Sequence, residues 1–84
     1  MLTNPLYPLI REALDAYKAN PSPYTWGRLV GLQYARGAWD DPDLTPTDIA
    51  ATIKSLPPHG RSRLYQEGLH SVADSVQRLP KSVN

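Results

Sequence analysis

The residues able to do chemistry are few. The 84-residue chain has two histidines, His59 and His70, and no cysteine. Eleven positions separate the histidines, roughly 16 Å along one helix and too far to share a metal ion. Without thiolates there is neither a disulfide nor a cysteine metal cage nor a thiol nucleophile. Asp41, Asp43, Thr45 and Thr47 alternate as the opening of a calcium loop does. Pro46, however, stands where that loop needs glycine, and Thr52 where it needs glutamate. Phosphate-binding, dinucleotide-binding and HExxH patterns are absent. No spacing of Ser, His and Asp supports a nucleophilic site. A chain this short has little room for a pocket that excludes water. These observations predict a protein that is not an enzyme and carries no metal or cofactor.

Two segments offer binding chemistry instead. Around Trp39 an aromatic side chain sits among Asp40, Asp41 and Asp43, with Arg36 one turn earlier. Tryptophan and arginine are favoured at the centre of interfaces, and carboxylates around them steer a basic partner. The competing expectation is that Trp39 closes the core over Gly37, because a small core needs every large apolar group. The second segment spans residues 45–69. A helix followed by a short break and an arginine-rich helix entrance loosely resembles a helix-turn-helix, with His59, Arg61 and Arg63 directed at phosphates or base edges. Against it stand the paired prolines of the break and Gly60, which lies where an apolar residue should lock the helices together. A net charge of only +1 also lacks the basic excess of a nucleic-acid binder.

The elements that must position these residues are marked by proline. Asn4-Pro5, Ser22-Pro23 and Thr45-Pro46 each join a good N-cap to proline at the first helical position. Proline there has no N–H to lose, and the cap's side chain accepts a bond from an orphan amide. The pattern predicts four helices over about 5–19, 23–36, 46–56 and 58–78. Leu6, Leu9, Ile10, Ala13, Leu14 and Tyr17 form the apolar stripe of the first helix. Trp26, Leu29, Val30 and Tyr34 line the second, with Gly37 as its C-terminal cap. Gly27 and Gly31, four apart, predict close approach of another helix, the first or the fourth. Asp48 completes a capping box with Thr45. Ile49, Ile53 and Leu56 face inward from the third helix. Tyr65, Leu69, Val72, Val76 and Leu79 make a two-heptad seam on the fourth, expected to be buried within the chain. Trp26, Tyr17 and Tyr65 are expected in the core, and residues 38–44 form an exposed loop.

No segment alternates as a strand does. The expected fold is one all-α domain over 1–84, a compact bundle or orthogonal array, frayed at 81–84. No apolar run is long enough to cross a bilayer, and the N-terminus is not a signal peptide, which predicts a soluble, cytoplasmic protein without a membrane partner. Charge is uneven. Residues 1–36 carry four basic and two acidic groups, residues 37–53 four acidic and no basic ones, and residues 54–84 five basic and two acidic ones. Such a bipolar chain suits an oriented docking surface. The leading expectation is therefore a small protein–protein interaction module, monomeric or a weak homodimer. A phage- or mobile-element-encoded inhibitor or adaptor of a host protein or defence complex is one form. The alternatives are a DNA-binding regulator using residues 45–69 and an assembly subunit that pairs through its fourth helix.

Overall fold

Side-chain caps set where three of the four described helices begin, and an asparagine bond precedes the other. In the computed structural model, which describes residues 4–57 and 62–79, the helices are α1 (Leu6–Ala19), α2 (Pro23–Trp39), α3 (Pro46–Lys54) and α4 (Arg63–Gln77). Asn4 Oδ1 accepts from the Leu6 amide at 2.9 Å. Ser22 and Thr25 exchange bonds in a capping box at the head of α2. Thr45 and Asp48 do the same for α3, and Ser62 accepts from Tyr65 at the head of α4. Each bond satisfies an amide that the first helical turn leaves unpaired, typically worth about 1 kcal/mol. All described elements are helical, and they assemble as an all-α bundle.

Three helix ends differ from the sequence expectation by two residues or more. α2 does not stop at Gly37 but runs on through Trp39, so residue 38 and residue 39 are helix rather than loop. Trp39 lies four residues beyond Ala35 and on the same face. Continuing the helix is what brings its indole into the core, where it is 7% exposed. α4 begins at Arg63, not near Pro58, because Ser62 supplies the cap. α3 closes two residues early, with Ser55 as its cap.

α2 is the central element. It packs on α4, on α1 and on α3, while α3 also packs on α4; α1 touches no helix but α2 among the described residues. The α2–α4 crossing is the closest. A β-carbon at Gly27 would fall on the Tyr65 carbonyl, and one at Gly68 on the Tyr24 carbonyl. At Gly31 it would press on the Val72 side chain at 3.1 Å. Gly27 and Gly31 therefore receive α4, as their spacing predicts, and Gly68 is the reciprocal glycine from the other side. The core is completed by Leu6, Leu29, Leu32, Ile49, Ile53 and the α4 seam of Tyr65, Leu69, Val72 and Val76. No charged or polar side chain is buried among the described residues. Trp26 departs from expectation: it is 37% exposed, with the Tyr17 ring of α1 against one side of it.

Glycine substitutions test this geometry. Gly68→Ala should lose about 1–3 kcal/mol or more, since backbone cannot yield as a side-chain tip can. Gly37, whose β-carbon would meet nothing within 4 Å, should behave oppositely: Gly37→Ala should gain about 1 kcal/mol from helix propensity alone. Urea unfolding of both variants checks the two signs.

Candidate functional site

Three surface regions carry the side chains able to bind. The first is the connection from α2 to α3. Asp41 organises it: its Oδ1 accepts from the Asp43 amide at 2.9 Å, and its carbonyl accepts from Leu44 at 3.2 Å. Asp40 and Asp43 stand in solvent. Trp39, expected as a possible anchor here, is a core residue, so the loop presents carboxylates without an exposed aromatic. Arg36, grouped with them in the sequence, has its guanidinium over the Tyr7 ring, 5.9 Å from the centroid. Asp40, Asp41 and Asp43 all belong to this connection, while Arg36 reaches the Tyr7 ring of α1.

The second region lies where α4 crosses the start of α2. An open groove of about 510 Å³ is lined by Tyr24, Glu67, His70, Ser71 and Asp74, with Ser75 and Arg78 at its end. Arg28 Nη1 donates to Ser71 Oγ at 2.8 Å. The Ser71 hydroxyl in turn interacts with the Tyr24 phenol and draws its pKa below the ordinary 10.0; burial opposes this, and the Arg28 charge adds to it. The relay Arg28–Ser71–Tyr24 orders a polar patch. Glu67 pairs with Arg63 at 3.6 Å and Asp74 with Lys54 at 3.5 Å. Among the described residues no three His, Asp or Glu side chains gather as metal ligands would. Sequence reasoning missed this relay. Arg28 and Ser71 are 43 residues apart, and only the glycine-permitted crossing joins them.

The residues named for nucleic acid are only partly placed. Arg63 opens α4, exposed and paired with Glu67. His59 and Arg61 lie outside the described residues. The α4 seam offered for assembly is buried within the chain, so self-association through it would need the core to open.

The third region is the outer edge of the α1–α2 pair, and it holds three of the four exposed large apolar side chains among the described residues. Tyr7 is 53%, Leu14 40% and Trp26 37% exposed; Leu64 at the head of α4 is the remaining large apolar side chain so open among the described residues. Tyr7, Ile10, Leu14 and Tyr17 follow one another at spacings of 3, 4 and 3 along α1, which places them on one side of the helix. Tyr17 then meets Trp26 across the helix pair, ring centroids 5.6 Å apart and tilted by 50°. At the other end Tyr7, Ile10, Gln33 and Arg36 line a depression of about 220 Å³. α1's stripe is wider than the surface α2 can cover, which leaves this half of it open.

Comparison with protein-family models, curated proteins and solved structures finds no match. No helix among the described residues is long and apolar enough to cross a membrane.

Two measurements test these placements. Trp39→Ala should cost about 3–5 kcal/mol, the loss expected for a large core aromatic, whereas Asp40→Asn should leave the melting temperature nearly unchanged. For Tyr24, a lowered pKa means the folded chain sheds this proton before the unfolded chain does. Its contribution to stability therefore grows as pH rises through the folded pKa, up to the ordinary value near 10. Near-ultraviolet titration should show Tyr24 ionising below the ordinary value near 10, and Ser71→Ala should raise it toward that value.

Proposed function

We propose that this chain is a non-catalytic protein-interaction module whose docking surface is the outer edge of the α1–α2 pair. One observation carries the reading. A chain with only 18 Leu, Ile and Val residues and no phenylalanine leaves Tyr7, Leu14 and Trp26 substantially in solvent on a single edge. Clustered exposed apolar side chains mark contact surfaces, while scattered ones do not. Tyrosine, tryptophan and arginine, all present here, are the residue types that most often anchor a partner. The edge also belongs to α2, which its packing on α3 and α4 holds in place, and to α1, which packs on α2. The acidic residues Asp40 and Asp43 lie at the far end of α2 and supply charge but no apolar contact. Inhibition or bridging of a partner are the forms such a module takes when it has no catalytic set.

The test is differential capture from extracts of the organism that encodes the chain. Leu14→Asp should keep the wild-type helical spectrum, since Leu14 is a surface residue. It should lose, at least tenfold, a protein that the wild type retains. Asp43→Asn should retain that protein. A partner held equally by wild type and Leu14→Asp would remove the α1–α2 edge from the reading.

A further inference from the structure

Resting on that reading of the α1–α2 edge, we infer the chemistry of its occupant: an amphipathic helix whose apolar stripe is bordered by carboxylates. The apolar row has cations along its solvent side. Arg11 is four residues from Tyr7 and three from Leu14, and Lys18 is four from Leu14. On a helix these spacings make direct neighbours, so the row reads Tyr7, Arg11, Leu14, Lys18 in order along the edge. Both cations are exposed, and neither forms an ion pair among the described residues. Arg36 adds a third cation at the Tyr7 end of the edge, lying over the ring. The carboxylates of α1 lie elsewhere: Asp15 sits beyond Arg11 and Lys18 as seen from the stripe, and Glu12 further round the helix. Asp40, one turn after Arg36, is the carboxylate nearest that end. The edge is thus apolar within and cationic at its rim.

Shape decides what kind of partner answers this. The open side chains are about half covered rather than projecting, and between Tyr7, Ile10, Gln33 and Arg36 the surface is concave. A depression between two helices accepts side chains at the i, i+3, i+4 and i+7 positions of a third, the helix-in-groove mode. A bilayer would instead be met by aliphatic side chains that protrude and by a denser basic cluster, about four to eight Lys or Arg. Gln33 at the wall of the depression gives a polar partner for a helix but nothing for acyl chains. Glutamate or aspartate on the incoming helix would then face Arg11 and Lys18 across the rim, where charge sets orientation and association rate.

The experiment uses the full chain and two synthetic peptides of about 20 residues with the same leucine and isoleucine stripe, one flanked by glutamate and the other by lysine. Labelled-peptide anisotropy, with Trp26 fluorescence as a second readout, measures both. The glutamate-flanked peptide should bind at least tenfold more tightly, and the difference should shrink at high salt. Arg11→Glu with Lys18→Glu should reverse the preference while keeping the helical spectrum. Leu14→Asp should weaken both peptides. Equal binding of the two peptides, or binding of neither, overturns the inference. So does binding of the chain to phosphatidylserine vesicles that the glutamate peptide fails to displace, which would assign the edge to a lipid surface. Concentration-dependent dimerisation abolished by Leu14→Asp would assign it to a second copy. The two levels separate cleanly. A native partner that depends on Leu14 but ignores the Arg11→Glu, Lys18→Glu reversal sinks the acidic-helix inference alone; one that ignores Leu14 sinks the docking edge itself.

Discussion

The fold depends on how near the backbone of α4 comes to that of α2. Gly27 and Gly68 face each other's helices, and a β-carbon on either would strike a carbonyl of the other. Two glycines in helix interiors each cost about 1 kcal/mol in propensity. What offsets this is the depth to which the α4 seam then sinks: Leu69, Val72 and Val76 are essentially removed from water, and each such side chain contributes about 1.5–3 kcal/mol. The α4 seam facing α2 is mostly Leu and Val, and glycine brings the backbones close enough for these side chains to fill the space between them.

That crossing also fixes everything built on it. It brings Arg28 to Ser71 and Ser71 to Tyr24, three polar groups from two distant segments. It orients α2 so that its remaining faces receive α3 on one side and α1 on another. Since α3 is shared between α2 and α4, those three helices form a mutually braced unit. Ile49 and Ile53 are fully enclosed within it. The caps at Ser22, Thr45 and Ser62 then define where each helix starts, which sets the register at which glycine meets glycine.

Much of this was legible in the sequence, for local reasons. Cap-and-proline pairs act within four residues, so the starts of α2 and α3 could be read directly. The seam of α4 and the role of Gly27 and Gly31 followed from helical spacing. What escaped was decided by contacts distant in the chain. Gly37 looks like a helix stop, and only the core's demand for Trp39 carries the helix past it. Of the two places the sequence offers Trp39, binding anchor or core, that same demand selects the core. Trp26 fails in the opposite direction: its spacing places it on an apolar face, but spacing does not reveal that α1 covers only part of that face. Gly68 lies in an otherwise ordinary amphipathic stretch, where a lone glycine carries no signal until its neighbour is known. The open half of α1's stripe was invisible for a related reason, since a stripe's width can be read while the area available to cover it cannot.

The attachment of α1 has a thermodynamic consequence. α2, α3 and α4 contact one another pairwise, whereas α1 leans on α2 alone, tied further by Asn4 Nδ2 bonding the Arg36 carbonyl at 3.4 Å. α1 is therefore expected to open at lower free energy than the block of α2, α3 and α4, as a separate unit in the sense of native-state exchange. A ligand spanning α1 and α2 binds the closed form and not the open one, and so draws the opening equilibrium shut by mass action. Amide protection along α1 thus becomes a gauge of occupancy, and the described helix with the fewest neighbours is the one that reports.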